Sequence, residues 1–202
     1  REFLDEIKRA SQLITGVTDA TMSHGEAWHF ARMGRLVERA DKTSRVLDVE
    51  HYFHPAAGTA AAGTNGATTG DAVQWSAVLE SASALEMYRK EYGVVSRRHV
   101  AEFLVFDRAF PRAMHFCLIK AEESLLAVTG GVKGGYTNVA EQRLGRLRSE
   151  LDYGHIDEVL GDEQGLHGFI DSFQDRLNGA SDAIHETFFA LRPVGASGEH
   201  GR

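Results

Sequence analysis

The chain has 202 residues, 43% apolar and 25% charged, with 3 prolines and a net charge of −7 at pH 7 (sequence pI ≈ 5.8). Those values suit one folded domain with a sizeable core, and they argue against nucleic acid or an anionic membrane as the main partner, since both need a basic face. The single cysteine, Cys117, rules out an internal disulfide and a thiolate pair for a metal, so a reducing, cytoplasmic setting is expected.

The opening REFLDEIKRA carries no apolar segment of signal length, and nowhere do about 18 apolar residues run together. The chain begins without Met, inside an amphipathic pattern, as a piece of something longer would. Phe3, Leu4, Ile7, Ala10, Leu13 and Ile14 recur at helical spacing, and Gly16 is the expected stop. The longest helix is expected from Asp19 to Tyr52, with a bend at Gly25. Residues 54–70, HPAAGTAAAGTNGATTG, offer nothing to bury and read as a flexible loop. Asp71 and Gln74 have the spacing of a capping box opening a helix that Gly93 closes. Ser96 is placed to cap the next helix, and Pro111 suits the first turn of another, ended by Gly130 and Gly131. Asn138 with Glu141 caps NVAEQRLGRLRSELDY. A last long helix, GLHGFIDSFQDRLNGASDAIHETFFAL, stops before Pro193, and residues 193–202 read as a disordered tail. The fold class is therefore all-α, a bundle of about seven or eight helices spanning residues 1–192.

Residues 23–45, SHGEAWHFARMGRLVERADKTSR, carry an unusual density of charge for a helix with a core-facing stripe. At about 100° per residue, Phe30, Met33, Val37, Ala40, Ser44 and Leu47 define the buried side. Arg35, Glu38, Arg39 and Lys42 then face away from it, while Asp41, Arg45 and Asp48 follow one flank. Asp41 and Arg45 form an acid-before-base pair at i, i+4, which supports a helix locally. The strip reads either as a solvated face with local ion pairs or as one wall of a site covered by another element or a charged ligand.

Just upstream, Glu26 and His29 have the Glu-x-x-His spacing that hands a carboxylate and an imidazole to one metal from adjacent turns. A di-metal bundle needs a second such pair and two further inward carboxylates. Asp182 and His185 are the nearest match, but the stripe Phe169, Ile170, Phe173, Leu177, Ile184 and Phe188 turns Asp182 away. Glu122 flanks an apolar stripe and Glu123 faces out. No cofactor is expected on this pattern, and a metal at Glu26 and His29 stands as the alternative to a hydrogen-bonded core histidine.

Cys117, between Phe116 and Leu118 on an apolar face, reads as a buried inert thiol. The Gly pairs at 130–131 and 134–135 lack phosphate-loop spacing and a preceding strand. His51 and His54 read as surface residues at a loop edge. Arg143, Arg146 and Arg148 alternate with Glu141, Glu150 and Asp152 as on a salt-bridged helix surface, although arginines also grip carboxylates or phosphates bidentately.

The run Gly34-Arg-Leu-Val-Glu-Arg-Ala-Asp41, with Arg45 and Asp48 beyond it, resembles the signature of the alpha-E family, bacterial all-helical proteins named for a Glu-Arg motif. FLVFDRAFPRAMHFCLIKAEESL (103–125), LGRLRSELDYG (144–154) and DAIHETFFAL (182–191) extend the resemblance over nearly the whole chain. By that resemblance the Glu-Arg pair falls on Glu38 and Arg39. Family members look about half as long again, with a further Glu-Arg helix ahead of this start, so the chain resembles the C-terminal two-thirds of a member and holds one copy of a degenerate repeat. The resemblance also implies a context: such proteins are encoded beside, or fused to, circularly permuted ATP-grasp domains, which activate a carboxylate as an acyl phosphate for attack by an amine. The implied role is an accessory subunit rather than a catalyst, handling a peptide or amino-acid substrate or docking on the ligase. Arg35, Glu38, Arg39, Asp41 and Arg45 are the expected binding residues, since alternating charges on a rigid helix hold an amine and a carboxylate at fixed spacing. An enzyme using Glu38, or Glu26 and His29, is one rival reading. A buried ion pair of Glu38 and Arg39 that fixes helix register is the other.

Overall fold

Why the helices stop where they do explains most of the architecture. The computed structural model describes residues 2–53, 69–162 and 164–190, with side chains from 50 to 53 and at 69 left aside. These residues form helices and no strand: α1 (Glu2–Thr21), α2 (Glu26–Phe53), α3 (Thr69–Ser81), α4 (Leu85–Glu91), α5 (Arg97–Phe106), α6 (Met114–Thr129), α7 (Val139–Tyr153), α8 (Ile156–Gly161) and α9 (Gly165–Phe188). The all-α bundle expected from periodicity is what the chain adopts. Most of the expected loop at 54–70 and the whole expected tail at 193–202 lie outside the described residues, while Thr69 and Gly70 already belong to α3.

Several ends fall elsewhere than the sequence suggests. Gly16 does not stop α1, because one glycine inside a helix costs only about 1 kcal/mol relative to Ala and the helix runs on to Thr21. The break comes at residues 22–25, where the His24 ring stacks on Trp28 at 4.0 Å and α2 starts at Glu26 rather than Asp19. Residues 71–92 are two helices, not one: Ser83 takes φ 52 and turns the chain between them. Asp71 lies within the first turn of α3, which starts two residues earlier at Thr69. Pro111 precedes α6, which begins at Met114 after a turn held by Asp107 Oδ1 accepting from the Ala109 and Phe110 amides. Helix α8 carries too few residues to show a period and is capped by the His155 side chain.

Other caps behave as expected. Ser96 accepts from the His99 amide and Asn138 from the Glu141 amide, satisfying donors that a helix start leaves unpaired. Gly130 closes α6 in the left-handed region at φ 71, where a side chain would be strained.

Helix α2 runs through the bundle, packed chiefly against α6 and α9, while α7 bridges α6 and α9 and α5 closes the other end against α3, α6 and α8. One core joins them, with Leu47, Leu79, Tyr88, Leu104, Leu118, Leu144 and Ile170 fully enclosed. Gly145 lets α7 approach α6: a Cβ there would sit 3.1 Å from Glu122 Oε1. Helix α1 stands apart from this core. None of its residues is buried, and Phe3, Leu4, Ile7, Leu13, Ile14 and Val17 are each 48% to 71% exposed.

Candidate functional site

The expected stripe of α2 is the one the fold uses. Met33, Ala40, Ser44 and Leu47 are buried, with Phe30 and Val37 packed partly against the core. Opposite them the charged strip divides into two rows. Glu38, Lys42 and Arg45 face solvent. Arg35 and Arg39 do not: Arg35 Nη2 reaches Asp19 Oδ1 at 3.3 Å, and Arg39 Nη1 donates to the Pro111 carbonyl at 3.0 Å. Thr43, one turn further, donates to the Arg112 carbonyl at 2.8 Å. A single-helix wheel put Arg35 and Arg39 on an open face. The end of α1 and the 107–113 turn cover part of that face, and the two arginines fasten them to α2.

Asp41 is half-buried and accepts from Arg45 Nε at 2.9 Å through Oδ2, while its Oδ1 is buried with no hydrogen-bond partner. The five expected binding residues therefore lie along one helix but do not converge on a point. Among the described residues Glu38 makes no hydrogen bond or ion pair with Arg39 or any other side chain, so they are not a buried ion pair.

The expected metal pair separates as well. Glu26, first residue of α2, is exposed. His29 is half-buried with its ring edge-on to Trp28 at 5.0 Å, and its Nδ1 lacks a hydrogen-bond partner. Asp182 and His185 are both exposed. Glu26 does line an open groove with Phe30, Phe188 and Phe189, continuous with an apolar hollow of about 250 Å³ between α2 and α9 that Met33, Gly34, Ser181, Ile184 and His185 also line.

The structure assembles two polar clusters that sequence reading left scattered. In the first, Arg148 points inward between α6 and α7 instead of along an outer surface. It pairs with Glu122 at 2.7 Å and with Asp152, which also receives Arg108 Nη2 at 2.9 Å and faces His115 Nε2 at 2.9 Å. The other nitrogen of His115 lies 3.2 Å from the Phe106 carbonyl. Burial holds the His115 imidazole below the usual histidine range, helped by the positive charges of Arg108 and Arg148 and opposed by the Phe106 carbonyl. Two guanidinium groups already match Asp152, so a charged ring is not required there.

In the second, the buried Asp48 on α2 meets α9: its Oδ1 lies 2.7 Å from His167 Nδ1, and His167 Nε2 is 3.4 Å from Asp171 Oδ2. One ligand atom from each of these three lies within 4.8 Å of the others. One turn away Gln174 Nε2 donates to Ser44 Oγ at 3.0 Å. Sequence showed only half of this cluster. Asp48 was visible on the flank of α2, and His167 with Asp171 has the i, i+4 spacing of a shared helix face, but 119 positions separate Asp48 from His167 and nothing local joins them.

Burial pushes the Cys117 thiol up to about 12, against a weaker pull from Arg39 and Arg112, as suits an inert core residue. Arg146 pairs with Glu150, and Arg143 donates to the Gly179 carbonyl on α9. His51 and His54 lie outside the residues whose side chains are described.

The helical frame and the single Glu-Arg dipeptide on α2 agree with a family model that matches residues 1–189, the Alpha-E model, described as "a predicted alpha-helical domain with a conserved ER motif". The chain belongs to the Alpha-E family. No curated protein and no solved structure matches it. In this Alpha-E chain the arginine of the dipeptide braces the 107–113 turn while its glutamate faces outward. No described helix is long and apolar enough to cross a membrane.

Proposed function

We propose that this Alpha-E protein is a non-catalytic accessory or substrate-handling module that works with a circularly permuted ATP-grasp carboxylate–amine ligase in peptide or amide bond formation. The observation that carries a contact role is α1: six large apolar side chains along one 20-residue helix remain exposed. Contiguous apolar surface of this kind marks a protein interaction site. Charged groups suited to an interface rim accompany it, since the end of α1 is tied through Asp19 and Arg35 to the strip where Glu38, Lys42 and Arg45 face solvent. The identity of the partner comes from the family resemblance, and a peptide or amino-acid substrate from the chemistry of such ligases.

The test is calorimetric titration of the full-length protein into its neighbouring ATP-grasp protein, comparing the wild type with Ile7→Asp/Ile14→Asp and with Glu38→Lys. Binding that both variants weaken at unchanged melting temperature supports the reading. No binding by the wild type, or binding indifferent to both variants, overturns it.

A further inference from the structure

Asp48 is an unusual carboxylate. Its side chain is only 10% exposed, in the seam between α2 and α9, and among the described residues no lysine or arginine comes within 4.0 Å of it. Buried carboxylates are normally matched by a cation or by several donors. Here an imidazole stands against it, and a second carboxylate, Asp171, stands against the same imidazole. Two carboxylates thus converge on one ring that carries at most a single positive charge. The other buried carboxylates are provided for differently: Glu122 has Arg148, and Glu141 accepts from the amide and hydroxyl of Thr137.

The donor set has a second reading. Histidine nitrogen with two carboxylate oxygens is what a divalent cation of the borderline to hard class, Zn2+ or Mn2+, selects. The arrangement also has the mechanical form of a clamp. His167 and Asp171 stand one turn apart on α9, so both point the same way, and Asp48 comes from the facing helix. Asp48 and His167 are held by the packing of their helices, whereas Asp171, 61% exposed, lies on the solvent side where an ion would enter.

We infer that Asp48, His167 and Asp171 form a divalent transition-metal site that staples α2 to α9. The three protein ligands leave remaining positions of the ion to water, or to a carboxylate or phosphate group from outside. The site is separate from the Glu26 and His29 pair, and it does not depend on the ligase reading.

The experiment uses the full chain, without an affinity histidine tag and stripped with chelator, titrated calorimetrically with Zn2+ and with Mn2+, with Mg2+ for contrast. One equivalent of Zn2+ or Mn2+ is expected to bind and to raise the melting temperature, as a ligand of the folded state alone must. His167→Gln and Asp171→Asn are expected to weaken that binding by at least about tenfold, whereas His29→Gln leaves it unchanged. Asp48→Asn is expected to do the same as the two α9 variants, and because it sits in the helix seam its fold is checked by circular dichroism. Absence of binding by both metals overturns the inference. So does one-equivalent binding that survives both α9 variants, which would place the ion on other histidines.

Discussion

Arg39 Nη1 lies 3.0 Å from the carbonyl oxygen of Pro111, a residue 72 positions further along the chain. That bond gives the two members of the Glu-Arg dipeptide opposite roles. Glu38 is exposed on α2, while Arg39 completes a carbonyl in the turn that launches α6, next to Thr43 doing the same at Arg112. A substitution at Arg39 therefore changes packing as well as charge.

Arg39→Ala is expected to lower unfolding free energy by about 1–2 kcal/mol, the cost of removing a charge-assisted hydrogen bond at a half-buried site. Glu38→Gln is expected to change it by less than about 0.5 kcal/mol, as for other surface positions. Urea denaturation of both variants measures the difference. Equal stabilities would mean that the bond to Pro111 contributes nothing.

Between α6 and α7, Arg148 is the only described cation that reaches both Glu122 and Asp152. Arg148→Met keeps much of the volume but strands Glu122, whose side chain is 9% exposed, without its partner. A loss of about 3 kcal/mol is expected, since removing one side of a buried pair leaves the other charge uncompensated. The double variant with Glu122→Leu should recover a large part of it. Failure of the second substitution to rescue would locate the cost in lost packing instead.

The bundle was legible because apolar residues recur with the helical period, and the buried stripes of α2 and α9 follow from spacing alone. The inert setting of Cys117 was legible for the same reason. Helix ends were less so. Gly16 carries a stop signal too weak to outweigh the turns on either side of it, and Ser83 adopts a positive φ that no glycine announces. The polar clusters were the least visible, because Asp48 with His167 and His115 with Asp152 are joined by tertiary packing over 119 and 37 positions. A helical wheel turns Arg35 and Arg39 away from the core but, holding a single helix, cannot choose between a solvated face and the one that α1 and the 107–113 turn partly cover.

With its thiol pushed up to about 12 by burial, Cys117 should react with a thiol-selective aromatic disulfide at about pH 8 more than a hundredfold slower than the same thiol in urea. Rapid stoichiometric labelling of the folded protein would show that the packing around Met114, Leu118 and Ala121 opens readily.

The setting of His115 makes stability depend on pH in a definite direction. Burial lowers its folded pKa below the unfolded value of about 6.5, so in the interval between the two the unfolded chain binds the proton and the folded chain does not. The contribution is fully present above the unfolded pKa and is lost as pH falls from there toward the folded pKa. Below that value the slope from this group vanishes. His115→Gln removes the titration while retaining a side chain able to hydrogen-bond Asp152, so its stability should fall less steeply with acid. The measurement is the urea midpoint of both proteins from about pH 8 to about pH 5, taken as a difference so that the other histidines cancel. The variant is expected to be less stable at the alkaline end, with the gap narrowing on acidification. A gap that widens as pH falls would require a raised pKa, and so an imidazolium ring shared between Asp152 and the Phe106 carbonyl.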